Sequence, residues 1–358
     1  MDSTTTLARN VTLGNVTEQE TFNTTSPNMS EWSFPVGYYG NTTALLWRVI
    51  PPILMTVGTI GNTMTILVLL HQQKMTSTAL FLFALAISDT LTLFSGLLTG
   101  WVMFTWDLDI RLLSNPGCKT LVYMIYCSIH LSTWLIVAVT LERTACVLFP
   151  HKVRLDCSPR NAWLIIVTIV IAVFGINIIL PVIFDLNGYE GKKCAPSIDI
   201  VWNVYQWIDF TLSFGAPFPL LLIGNVVIVV QLARSRSRNK RMNISGQAHD
   251  TRPLSMLIIA LSAVFFLTMT PIAVMDVSYP YLMEKILALE RVDPYTAWYD
   301  YEYLLFQQTV VELVCYFNST FNFVFYVFSG TKFRTELKSM GCCQERKGTS
   351  LFITTTSK

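Results

Sequence analysis

The sequence predicts an all-α membrane protein, a seven-transmembrane helix bundle with a short amphipathic interfacial helix after the last span. Three observations carry that reading. Of 358 residues, 52% are hydrophobic and only 13% charged, about half the ~25% charge of a globular chain. Seven apolar windows lie at about 45–70, 79–104, 117–148, 161–184, 203–233, 254–281 and 303–328, each near the ~20 residues that cross ~30 Å of hydrocarbon. The charges that remain are distributed unevenly between the loops, as a fixed topology requires.

The chain divides into a tail over residues 1–43, the bundle over 44–329, and an interfacial helix with a terminal tail over 330–358. The first tail is polar and acidic, Arg9 standing against Asp2, Glu18, Glu20 and Glu31. It carries N-x-S/T sequons at Asn10, Asn15, Asn23, Asn28 and Asn41. A single sequon arises easily by chance; five in one polar tail point to a glycosylated segment outside the cell. No arginine-led apolar leader opens the chain, so the first span is expected to act as its own targeting signal.

Seven spans from an outer amino terminus put the carboxyl terminus in the cytoplasm. Loop charge tests this independently. Between the fifth and sixth spans, Arg234, Arg236, Arg238, Lys240, Arg241 and Arg252 face Asp250 alone. Between the sixth and seventh, Glu284, Glu290, Asp293, Asp300 and Glu302 outnumber Lys285 and Arg291. Basic loops stay cytoplasmic, which agrees with the sequons.

The third span organises the rest. Ser128, His130, Ser132 and Thr133 put polar groups in its middle, so it is expected inside the bundle and not against lipid. It ends in Glu142-Arg143, and a charge closing a bilayer-length apolar run needs a partner or the interface. After the last span, Phe333, Leu337 and Met340 recur at helical spacing with Lys332, Arg334 and Lys338 on other faces. That pattern suits a helix lying on the membrane lipid, with Cys342 and Cys343 as candidate palmitoylation sites; the alternative is a solvated tail with two free thiols.

Together these features resemble the rhodopsin-like G-protein-coupled receptors, over about residues 45–342. The motifs keep the family's order: Gly61-Asn62, FALAISD ending in Asp89, Glu142-Arg143-Thr144, Trp163, Pro217, Pro271, and Asn322-Phe-Val-Phe-Tyr326. The ending NSTFNFVFYVFSGTKFR is loosely similar to invertebrate FMRFamide-type neuropeptide receptors. There are departures. Phe323 replaces a proline, which weakens the expected kink. Met269, after Phe265 in the switch region around Pro217 and Pro271, replaces a tryptophan. Thr251 replaces an acid that pairs with the third helix's arginine.

The resemblance implies roles. Glu142, Arg143 and Tyr326 become the G-protein-coupling end, with arrestin as a further partner; the alternative for Arg143 is an interface anchor, and the residues alone leave the two open. Cys118 stands at the outer end of the third span, and Cys194 is the one cysteine in the loop before the fifth. Both face the oxidising side, where a disulfide is expected; two free thiols are the alternative. Asp89 is an acid in mid-span, a rare and usually functional placement. Family positions bring Asn62, Ser132, Asn318 and Asn322 to it, an oxygen set that implies bound sodium, against the alternative of a protonated aspartate hydrogen-bonded to its neighbours.

The ligand is read partly from what is missing. Ile125 stands where amine receptors carry aspartate, and the seventh span has no lysine for retinal. The outer surface is aromatic and acidic, with Trp101, Trp106, Trp202, Trp207 and Tyr279 near Asp107, Asp109, Glu284 and Glu302. An acidic mouth attracts a basic ligand, so the expected partner is a peptide, basic or amidated. Many of those aromatics equally form an interfacial belt. No nucleophile–base pair, metal-ligand spacing or phosphate loop marks an enzyme, and nothing points to nucleic acid. The rival readings are a receptor homologue that does not signal and an ion-coupled transporter; the second is disfavoured by continuous spans without internal repeats.

Overall fold

The computed structural model describes residues 36–72, 74–149, 158–187, 193–242 and 252–329. Among them, seven helices are long and apolar enough to cross a bilayer. Helix α1 runs Tyr38–His71, α2 Ser77–Trp106, α3 Asn115–Leu148 and α4 Pro159–Ile183. An antiparallel hairpin follows, β1 Phe184–Asn187 and β2 Lys193–Pro196. Helix α5 comprises Asp199–Phe210, a π-turn at Thr211–Gly215 and Pro217–Met242. Helix α6 runs Arg252–Glu290 and α7 Pro294–Ser329.

The helix starts follow from local chemistry. Thr76, Ser114 and Ser158 accept the backbone N–H of Ala79, Gly117 and Asn161, each satisfying a donor the helix leaves unpaired. Pro116 and Pro159 sit in the first turns of α3 and α4, where a missing N–H costs nothing. Asp293 does the same for α7: its carboxylate accepts from Thr296 N at 3.2 Å and from the Thr296 hydroxyl at 2.6 Å.

The helices outrun the expected windows, most of all around residues 282–302. The sequence reading took that stretch as a loop, but α6 continues to Glu290 and α7 starts at Pro294. The reason is local. Met283–Leu289 contains strong helix formers, and the Asp293 cap restarts the chain after a short turn. Helix α1 likewise begins at Tyr38, which puts Asn41 in its first turn.

The core lies where α2, α3, α5 and α6 meet, with Leu85, Leu135, Ile136, Leu221 and Phe265 buried. Leu164, Ile171 and Ile223 face outward, as lipid-facing positions do. Trp163 is also outward, 54% exposed, so it contributes a lipid face and no core contact. π-Turns at Leu93–Leu97 in α2 and Thr211–Gly215 in α5 each widen one turn and re-aim the side chains beyond it. The second precedes Pro217, which has no N–H to offer the turn before it. The interfacial helix with Cys342 and Cys343, the sequons at Asn10, Asn15, Asn23 and Asn28, and Thr251 lie outside the described residues.

Candidate functional site

Cys118 and Cys194 form a disulfide, with Cα atoms 5.6 Å apart. It ties the start of α3 to β2, and Cys194 pairs in register with Leu186 of β1. Asn115 of α3 holds the same hairpin, donating to Asp185 Oδ1 at 3.1 Å and accepting from Leu186 N at 3.1 Å. Lys119 Nζ lies 2.9 Å from Asp185, and its hydrogen bond holds that carboxyl below the usual range. Leu180, Phe184, Trp202 and Tyr205 pack beneath. The hairpin is therefore fixed by one covalent and several polar ties.

Under it lies a cavity of about 550 Å³. Its walls come from every helix but α4, and it reaches from Trp202 and Tyr279 near the hairpin down to Ser132, Asn318 and Ser319. Three carboxylates line it: Asp209 of α5, Asp276 of α6 and Glu312 of α7. Glu312 accepts from Gln308 Nε2 at 2.8 Å. Asp209 meets His130 Nε2 at 2.8 Å. These acids were not singled out from sequence, although the rule that flagged Asp89, an acid inside an apolar span, applies to each of them.

The floor of the cavity borders the Asp89 cluster. Asp89 is fully buried. It accepts from Ser132 Oγ at 2.5 Å and from Asn322 Nδ2 at 2.7 Å. Asn62 Nδ2 donates to Ser319 O at 3.2 Å, so Ser319 joins a set that did not include it. The Oδ1 atoms of Asn62, Asn318 and Asn322 are buried without a hydrogen-bond partner. One carboxylate, hydroxyls and free amide oxygens are the donors of a small hard cation. Among the described residues no group of His, Cys, Asp and Glu matches a transition-metal site.

The switch region is buried as a unit. Phe265 is fully buried, and Met269 Sδ lies 3.2 Å from Cys315 Sγ of α7, so the residue in the tryptophan's place contacts the neighbouring helix through sulfur. Phe323 packs on Gly61 of α1: a Cβ at Gly61 would lie 2.0 Å from its ring. The bare glycine is what leaves room for the ring that stands in place of proline.

At the other end, Glu142 Oε2 accepts from Thr78 Oγ1 at 2.9 Å and lies 3.8 Å from Arg143 Nε. The hydrogen bond to α2 is the tighter contact, and the ion pair is loose. Thr144 reaches α5, donating to Gly224 O at 3.3 Å. Tyr326 is buried.

The profile of the family described as "7 transmembrane receptor (rhodopsin family)" matches residues 61–326, which span both the Asp89 cluster and the Glu142-Arg143 end. The chain belongs to the rhodopsin family of seven-transmembrane receptors. Similar curated proteins include Neuropeptide receptor 22 of Caenorhabditis elegans, 23% identical over 234 residues, which is 60% of this chain and 53% of that one. The Allatostatin-A receptor of Bombyx mori is 23% identical over 297 residues, 80% of this chain and 77% of its own. Galanin receptor 2a of Danio rerio is 25% identical over 227 residues, 60% and 59% respectively. The chain thus spans about half the length of the first of these receptors. As a rhodopsin-family receptor it is a multi-pass membrane protein with no enzymatic role.

The outer acids anticipated for a ligand are partly engaged within the protein. Asp109 pairs with Arg111 at 2.7 Å, and Glu302 is buried against the start of α1, accepting from Gly37 N and Gly40 N. Asp209, Asp276 and Glu312 lie deeper, on the cavity wall.

Proposed function

We propose that this chain is a plasma-membrane receptor, its first tail outside and its carboxyl terminus inside, that binds an extracellular peptide in the cavity under the hairpin and activates a heterotrimeric G protein at its Arg143 end. The cavity carries the reading. At about 550 Å³ it has the size of a ligand site, and it lies below a hairpin tethered by the Cys118–Cys194 disulfide. The basic segment between α5 and α6 supports the orientation. A relative named as a neuropeptide receptor supports a peptide ligand, and the acidic wall supports a basic or amidated one.

The same reading seats a sodium ion among Asp89, Ser132 and the unpartnered amide oxygens of Asn62, Asn318 and Asn322. Glu142, Arg143 and Tyr326 then face the G protein, with arrestin as a second partner. Met269 and Phe323 motivate one rival, a homologue that binds but does not signal.

The deciding experiment screens a peptide library against cells expressing the receptor, reading nucleotide exchange on G proteins in their membranes. Peptide-dependent exchange is the expected result. Peptide binding without exchange on any G-protein class would establish the silent homologue, and solute uptake without exchange would establish a transporter.

A further inference from the structure

One asparagine sets the tautomer of the histidine beside the cavity. Asn177 of α4 is fully buried, and its Nδ2 lies 2.7 Å from Val173 O and 3.1 Å from His130 Nδ1. A backbone carbonyl only accepts, so the atom facing it must be the amide nitrogen, and this settles an orientation that bonding networks decide. The amide therefore donates to His130 Nδ1, and Tyr205 donates its hydroxyl to Asn177 Oδ1. With Nδ1 accepting, the ring holds one proton, on Nε2, and gives it to Asp209 Oδ1 at 2.8 Å. The His130–Asp209 contact has the distance of an ion pair, but the imidazole in it is neutral. His130 therefore supplies no cation to Asp209.

The remaining charges do not compensate it. Arg111 is the one basic side chain on the cavity wall among the described residues. It already gives Nε and Nη2 to Asp109, at 2.9 and 2.7 Å. Asp276 lies within electrostatic reach of both Asp209 and Glu312, and among the described residues no hydrogen bond or ion pair is made to it. Three carboxylates thus line one cavity whose basic side chain, among the described residues, is already paired.

A second set of groups on the same wall also lacks partners. Thr43, Trp202 and Asn318 are each more than nine-tenths buried and line the cavity. Thr43 Oγ1, Trp202 Nε1 and Asn318 Oδ1 have no hydrogen bond. Gln308 Oε1, beside Glu312, is likewise unpartnered. A buried polar group without a partner is costly and calls for an occupant.

We infer that the cavity is a cation subsite, which takes a guanidinium from the ligand between Asp276 of α6 and Glu312 of α7, with Asp209 facing them from α5 and Gln308 Oε1 as a further acceptor. A planar fork with five donors suits carboxylates arriving from different helices better than a compact ammonium does. This deepens the receptor reading and specifies the ligand as one carrying arginine chemistry at the end that enters the bundle.

The test uses purified full-length receptor in lipid nanodiscs and three small probes at equal ionic strength, each N-acetylated so that only the side chain can carry charge: argininamide, lysinamide and uncharged citrullinamide. Argininamide at saturating concentration should raise the unfolding midpoint by about 2 °C or more, lysinamide by less, and citrullinamide not at all. Glu312→Gln and Asp276→Asn should each weaken argininamide by about tenfold, and the double variant should lose it. The wild-type comparison stands even if a variant fails to fold. No shift with argininamide, an equal shift with citrullinamide, or an equal shift with sodium chloride overturns the subsite. The two readings fail separately. Peptides that drive nucleotide exchange without any basic residue would leave the receptor standing and the subsite refuted; a guanidinium shift with no exchange for any peptide would do the reverse.

Discussion

Glu302 of α7 caps α1 through Gly37, whose backbone N–H it accepts at 2.9 Å, while its second oxygen accepts from Gly40 N at 3.3 Å. The carboxylate is 7% exposed and sits where the unpaired N–H groups and positive end of a helix favour an anion. Glu302→Gln keeps an acceptor but loses the charge, so it should lower stability by about 1 kcal/mol. Glu302→Ala should cost about 2 kcal/mol by leaving buried donors unmet. Thermal unfolding in detergent measures both, and equal midpoints for wild type and Glu302→Ala would mean that water replaces the cap.

A tight contact at the other end of α1 makes the second prediction. Gly61→Ala would drive a methyl into the Phe323 ring, and overpacking of this kind costs about 1–3 kcal/mol. Phe323→Leu should relieve most of that in the double variant. A double-mutant cycle on unfolding midpoints checks the pair; simple additivity would show that the ring does not set the space.

The Cys118–Cys194 bond closes a separation of 76 residues. Removing it with Cys118→Ala should cost about 2–5 kcal/mol and abolish surface expression or ligand binding. The noncovalent tie has a pH sign. Asp185 has a lowered pKa in the folded protein, so its contribution is present above the unfolded value of about 3.9 and is lost as pH falls through the lower folded one. Reduction of the disulfide by a pH-insensitive phosphine should therefore run at a constant rate across neutral pH, where the pair is intact, and speed up only in acid. A Lys119→Met variant should remove that acid step.

Asp89→Asn should flatten the response to sodium. Wild-type agonist affinity is expected to change about fivefold or more when sodium replaces a large organic cation at constant ionic strength; the variant should show no change. A wild type indifferent to sodium would leave Asp89 as a structural hydrogen-bond hub.

Arg143→Ala should retain agonist binding and lose agonist-driven nucleotide exchange by about tenfold or more, the scale of a lost charge-assisted contact. Its pairing with Glu142 is loose at 3.8 Å, so little holds it from a partner. Normal exchange in the variant would make Arg143 an interface anchor.

The bundle was legible in the sequence because a bilayer imposes a length on every span, and no tertiary knowledge is needed to see it. Asp89, Ser132 and Asn322 were legible because the order of motifs brought them together, and the hydrogen bonds between them follow that order. Glu302 was not, since its partners lie 265 and 262 residues away and counting it among surface charges missed its burial. Asp209, Asp276 and Glu312 were missed for a different reason. Each stands alone in its own span, and only the packing of α5, α6 and α7 turns three isolated acids into one electrostatic feature. The helical turn at Asp293 was readable in principle from Asp-Pro-x-Thr, but the acidic residues around it suggested a solvated loop.

The cavity runs along a seam. On one side α3, α4 and α5 are sewn together by the Asp209–His130–Asn177–Tyr205 chain of hydrogen bonds and by the disulfide-bound hairpin. On the other, the short Asp293 turn fastens α6 to α7, and Glu302 fastens α7 to α1. Asp209 belongs to the first side, Asp276 and Glu312 to the second, so the acids of the two sides line the same cavity. In the proposed subsite a single guanidinium would touch acids from both sides at once and work as a drawstring across the seam.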